Sequence, residues 1–109
     1  MSVEANQTTQ VQLDTEGMIK LCKQFGVQEL SLFGSILRDD FDRSKSDIDV
    51  LVEFLPDSPV ESLLDLIKVK LAFSDLLGYK VDLVEKRALS PYIMDDVLHS
   101  RRVVYALPQ

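Results

Sequence analysis

Residues 47–54 constrain this chain more than any other stretch. Ile48, Val50, Val52 and Phe54 fall on one face of an extended strand, and Asp47, Asp49, Leu51 and Glu53 fall on the other. Pro56 and Asp57 then turn the chain. The next segment predicts a helix that stops at Gly78, with Ser58 as N-cap, Pro59 at the first position and Glu61 closing a capping box. A second strand is predicted over 79–85, with Val81 and Leu83 on one face and Asp82 and Val84 on the other. The helix is long enough for a right-handed crossover between parallel strands.

The remaining elements follow from periodicity. Met18, Leu21, Cys22 and Phe25 recur at helical spacing, so a helix is predicted over 15–25, capped by Asp14 or Thr15 and ended by Gly26. A strand over 28–33 points Leu30 and Leu32 one way and Glu29, Ser31 and Phe33 the other. It leads into Gly34-Ser35, where a short helical turn is expected, and 39–46 reads as a loop. Ser90-Pro91 starts a helix carrying Ile93, Met94, Val97 and Leu98, and 102–106 reads as a final strand. The first two strands have a short connection that suits antiparallel pairing. The expected fold class is therefore α/β (α+β): a small mixed β-sheet with helices packed on one side. The long helix is apolar over much of its circumference (Val60, Leu63, Leu64, Ile67 and Leu71, with Leu66, Phe73 and Leu77 alongside), which suggests a sheet on one side and a partner on another. Residues 1–13 are rich in Gln, Thr and Asn and read as a flexible tail before one domain over 14–109.

Composition narrows the function classes. Eighteen acids against twelve bases give a net charge of −6, which disfavours a nucleic-acid-binding surface and suits a cationic partner or a metal-bridged nucleotide. No run approaches the roughly 18 consecutive apolar residues of a membrane span. The single cysteine, Cys22, permits neither an intrachain disulfide nor a cysteine zinc cage, so a cytoplasmic home is expected. Cys22 lies on the apolar stripe of the first helix and reads as a buried core residue rather than a nucleophile.

Three features point to chemistry. Gly34-Ser35 at a strand-to-helix turn lets backbone N–H groups approach an anion, although alone it reads as a plain turn. Asp47 and Asp49 project from one strand face about 6.5–7 Å apart. A solvated strand face is the bland alternative. Yet aspartate is a poor strand former, and two like charges repel, so this pair reads better as a site for hard cations such as magnesium. Asp82 alone is an exposed strand position; beside the Asp49 strand it becomes a third carboxylate, for metal or as a base on an attacking hydroxyl.

Residues 32–54 (Leu-Phe-Gly-Ser-Ile-Leu-Arg-Asp-Asp-Phe, then Ser-Asp-Ile-Asp-Val-Leu-Val-Glu-Phe), the later Val81-Asp82-Leu83-Val84 and the ending over 89–105 resemble the minimal nucleotidyltransferases of the polymerase-β-like superfamily. The resemblance covers about residues 14–106. It implies a palm-like fold and transfer of a nucleoside monophosphate from a triphosphate to a hydroxyl. Gly34, Ser35 and Arg38 would hold the nucleotide, and Asp47, Asp49 and Asp82 would be catalytic and bind two Mg²⁺ ions, with ATP as substrate. Members of this size resemble antitoxins that adenylylate a tyrosine of a HEPN-domain ribonuclease toxin. The alternative is an antitoxin that neutralises the toxin by binding alone, its nucleotide site vestigial or regulatory. A homodimer or a larger assembly with the toxin is compatible with either.

The chain departs from the family pattern twice. Eleven residues, 36–46, separate Gly34-Ser35 from Asp47, one more than is usual in the family, and Asp39 stands where many members have glycine. Neither change removes a catalytic acid. Other groups read as structural: His99 as a helix-end residue, Lys86 and Arg87 as a solvated turn, and Tyr79, Tyr92 and Tyr105 as core or rim aromatics.

Overall fold

The computed structural model describes residues 13–37 and 47–108. Arg38 and the acidic loop with Asp39, Asp40 and Asp42 lie outside the described residues, as does the tail before Leu13.

The described residues open with helix α1 (Thr15–Phe25), where the Asp14 side chain accepts from Gly17 N–H at 2.9 Å and Gly26 closes the helix in the left-handed region at φ 66°. Strand β1 (Val27–Phe33) runs into a 3₁₀ turn over Gly34–Leu37. Strand β2 (Ile48–Phe54), helix α2 (Leu63–Leu77) and strand β3 (Val81–Glu85) follow. A second 3₁₀ turn over Lys86–Ala88, helix α3 (Pro91–Ser100) and strand β4 (Arg102–Ala106) complete the chain. The sheet order is β3-β2-β1-β4; β1 is antiparallel to both neighbours, and β2 and β3 are parallel. Both the expected hairpin-like first pair and the expected crossover are present.

One sheet face carries the main core. Met18 and Cys22 of α1 and Val69 and Phe73 of α2 are fully buried against Leu30, Leu32, Ile48, Val50, Val52 and Val81. Burying such side chains contributes on the order of 1.5–3 kcal/mol each, and it fixes register, since a one-residue slip would turn the acids of β2 into this core. Leu13 also packs against this cluster.

The other face is not bare. Ser31 and Leu51, of opposite parity to the core residues on their strands, are buried. Lys86 pairs with Glu53 at 3.6 Å and Arg101 pairs with Glu29 at 3.0 Å, both acids of this second face. The segment joining β3 to β4 is thus tied to the second face at both ends. Helices on one side of the sheet therefore describe α1 and α2 only. The crossing is required because β3 and β4 occupy opposite edges.

Helix α2 starts later than its sequence suggests. Its N-cap is Ser62, whose hydroxyl accepts from Asp65 N–H at 3.1 Å, while the Asp65 carboxylate accepts from Ser62 N–H at 3.3 Å and from Glu61 N–H at 3.0 Å. Ser58 serves another purpose. It is buried, donates to the Phe25 carbonyl at 2.6 Å and accepts from Val60 N–H at 3.1 Å, tying the loop under the end of α1. The face of α2 that carries Leu63, Leu64, Ile67 and Leu71 points away from the core, with exposures of 73, 62, 43 and 55%.

Candidate active site

The three sequence features meet at one end of β2. Phe33 is the register partner of Asp49 across the antiparallel β1–β2 pair, so the chain leaves β1 directly beside that carboxylate. Gly34 then turns at φ 76°, a conformation that disfavours any side chain. A Cβ there would collide with Asp49 Oδ2, so the Asp49 carboxylate lies against the bare Gly34 backbone. Ser35 occupies the second position of the 3₁₀ turn that follows.

On its other side β2 pairs with β3, and Asp49 is in register with Asp82. Parallel neighbours lie about 4.8 Å apart, and the two side chains share the face opposite the core. Asp49 is half-buried and Asp82 is exposed. Asp47 is exposed one residue before β2 begins, on the same face as Asp49 by alternation. Gly34, Asp47, Asp49 and Asp82 are therefore neighbours in space; Arg38 lies outside the described residues.

The donor set suits a hard divalent cation. All the donors are carboxylate oxygens at the rim of the sheet, and the Gly34 turn leaves backbone space beside them. Like charges brought close repel, and a cation between them reverses that. As the side chains stand, no three acids of the described residues close on one point to form a metal cage. The strands bring the acids together, and side-chain rotation has to do the rest.

The register also shows a residue that the sequence reading passed over. Ile48 N–H donates to the Lys80 carbonyl at 2.8 Å, which continues the β2–β3 ladder by one step. Asp47 and Lys80 thereby stand side by side, as Asp49 and Asp82 do. The Lys-x-Asp spacing of 80 and 82 was the available signal, since it repeats the Asp-x-Asp spacing of 47 and 49.

Other reactive groups lie elsewhere. Burial pushes the Cys22 thiol up to about 12, so it is no nucleophile. His99 is exposed, with Nδ1 2.8 Å from the Asp95 carbonyl inside α3. Lys86 and Arg87 pair with Glu53 and Glu85 in the turn at the opposite end of β3 from Asp82. A cavity of about 770 Å³ opens at that opposite end, between Phe54, Ser62, Lys86 and Met94. It is far along the strands from the three aspartates. Tyr92 is 94% exposed, unlike the half-buried Tyr79 and Tyr105.

Residues 17–104 match the nucleotidyltransferase domain family. The chain is 41% identical over 86 residues to the protein adenylyltransferase MntA of Thermococcus cleftensis, covering 79% of this chain and 81% of that protein. A solved structure assigned as a minimal nucleotidyltransferase superposes with a TM-score of 0.67 at 32% identity, covering all of this chain and 97% of the other. The MNT antitoxin of Shewanella oneidensis, solved with its tri-AMPylated HEPN toxin, shares the fold at a TM-score of 0.62 and 21% identity, over 85% of this chain and 70% of that one. The turn, the carboxylates and the relatives lead to one conclusion: this chain belongs to the nucleotidyltransferase domain family and is a nucleotidyltransferase.

Proposed function

We propose that this chain is a magnesium-dependent protein adenylyltransferase that acts as an antitoxin, moving AMP from ATP to a tyrosine hydroxyl of a cytoplasmic HEPN-domain toxin. The observation that carries the reading is the register of Asp49 with Asp82, with Gly34 packed on the far side of Asp49. Support for the acceptor comes from relatives: one bears the name protein adenylyltransferase, and another is solved with an AMPylated HEPN toxin.

Each group has a role that follows from its place. The Gly34-Ser35 turn receives the triphosphate, because a glycine backbone permits close approach; Arg38, outside the described residues, is assigned to the nucleotide by the family resemblance alone. Asp47, Asp49 and Asp82 are the groups that would hold two magnesium ions, which neutralise phosphate charge when bound. The acceptor hydroxyl oxygen attacks the α-phosphorus, the bond to the bridging oxygen breaks, and pyrophosphate leaves. Asp82, on the side of β2 away from Gly34, takes the hydroxyl proton.

Intact-mass spectrometry of a HEPN-domain toxin, incubated with this chain, ATP and magnesium, tests the reading. A gain of one or more AMP units, absent with Asp47→Asn, is expected. No gain alongside a stable complex would favour neutralisation by binding alone. The exposed Leu63, Leu64, Ile67 and Leu71 face of α2 supports that second reading, since an apolar surface of this kind suits a protein interface.

A further inference from the structure

We propose that Lys80 is a further phosphate-binding residue of this site, contacting the phosphoryl group during its transfer to the acceptor; the inference rests on the nucleotidyl-transfer reading above.

Position carries the argument. The Ile48 N–H bond to the Lys80 carbonyl at 2.8 Å sets Lys80 beside Asp47, one ladder step from the Asp49–Asp82 pair. Alternation along β3 turns Lys80 to the same face as Asp82. Four charged groups thus mark the corners of a patch about 6.5–7 Å along the strands and about 4.8 Å across them. Three corners are acids and the fourth is a base.

Availability is the second observation. Lys80 is exposed and forms no ion pair among the described residues. Lys86, Arg87 and Arg101 are occupied by Glu53, Glu85 and Glu29. An unpaired ammonium at the rim of an acidic patch gains little from the fold, because its long stem is free to leave for water. It gains much when a phosphate arrives, because negative charge on the equatorial oxygens of the transferring phosphoryl is what such a site must stabilise.

Chemistry decides which anion. Gly34 stands on the β1 side of Asp49, and Lys80 stands on the β3 side. The two flank β2, so a phosphoryl group passing from the triphosphate near Gly34 to an acceptor near Asp82 moves towards Lys80. The flexible stem spans that distance, and the ammonium serves as a point charge without demanding a fixed hydrogen-bond fork.

The test compares wild type, Lys80→Ala and Lys80→Arg in two measurements. One is AMP transfer to the HEPN protein; the other is the rise in Tm caused by magnesium and AMP-PNP, measured against each variant's own unliganded Tm. The expected result is a loss of at least tenfold in kcat/KM and a reduced ligand-induced rise for Lys80→Ala, with Lys80→Arg retaining most of both. Wild-type values in Lys80→Ala would overturn the proposal. Equal losses in Ala and Arg with a lowered unliganded Tm would also overturn it, in favour of a structural role. If wild type transfers no AMP, the transfer reading itself fails; a ligand-induced rise that still depends on Lys80 would then uphold the phosphate contact alone.

Discussion

Asp49 and Asp82 stand side by side across the parallel β2–β3 pair, and Gly34 closes the opposite side of Asp49. The core forces this pairing. Ile48 with Val81 and Val50 with Leu83 alternate with the acids, so burying the apolar set aligns the carboxylates. The fold therefore brings two carboxylates together where a cation would bridge them. Magnesium is expected to raise the Tm of the free chain, by about 1.4 kcal/mol of stability at tenfold excess over Kd. Asp82→Asn is expected to abolish the magnesium response. Differential scanning fluorimetry with EDTA or MgCl₂ checks both, and an unchanged response in Asp82→Asn would remove that residue from the metal site.

Gly34→Ala tests the turn. The left-handed backbone at φ 76° costs a non-glycine residue about 1–2 kcal/mol, and the added methyl would also displace the Asp49 carboxylate. We expect the chemical denaturation midpoint to fall by a modest amount while AMP transfer falls far more, because Asp49 moves. A variant with wild-type transfer would show that Asp49 tolerates displacement.

Cys22 gives a clean probe of core integrity. It is buried against Phe73 and the sheet within one cluster, and its thiol is pushed up to about 12 by desolvation. Reaction with a thiol-specific reagent at neutral pH is expected to be slow in buffer and fast in denaturing urea. Fast reaction in buffer would mean that α1 opens readily from the sheet.

Much of this was readable in the sequence, and the failures have physical causes. The stripe of Met18, Leu21, Cys22 and Phe25 and the alternation of β2 stand out because each element buries one face only, and those elements lie where they were expected. The Asp-x-Asp pair read as a cation site because aspartate is a poor strand former, whereas Asp82 alone read as an exposed strand position, and it is the register that sets it beside Asp49. Helix α2 misled in two ways. The expected cap, Ser58, is held by the Phe25 carbonyl, and the cap falls instead to Ser62, four residues on. Its leucines surround the helix, so periodicity alone could not say that Val69 and Phe73 face the sheet while Leu63 and Leu71 face out. Lys80 was overlooked because its Lys-x-Asp spacing with Asp82 gains meaning only once the register sets it beside Asp47.

The capping box of α2 makes a prediction whose sign depends on pH. Asp65 accepts N–H bonds from Glu61 and Ser62, and these hold its carboxyl below the ordinary value of 3.8 despite an opposing desolvation effect; Lys68 adds a smaller pull. A carboxyl lowered in the folded state contributes stability that is fully present above its unfolded value and is lost as pH falls through the folded one. Asp65→Asn should therefore be less stable than wild type at neutral pH, and the gap should close only below about pH 4. Ser62→Ala removes the reciprocal bond to Asp65 N–H and is expected to cost about 1 kcal/mol at neutral pH. Ser58→Ala should also destabilise, through the Phe25 carbonyl it leaves unpaired rather than through the helix end. Urea midpoints for the three variants across this pH range separate the cases. A gap between wild type and Asp65→Asn that does not narrow in acid would show that the carboxylate's charge does not contribute to the cap.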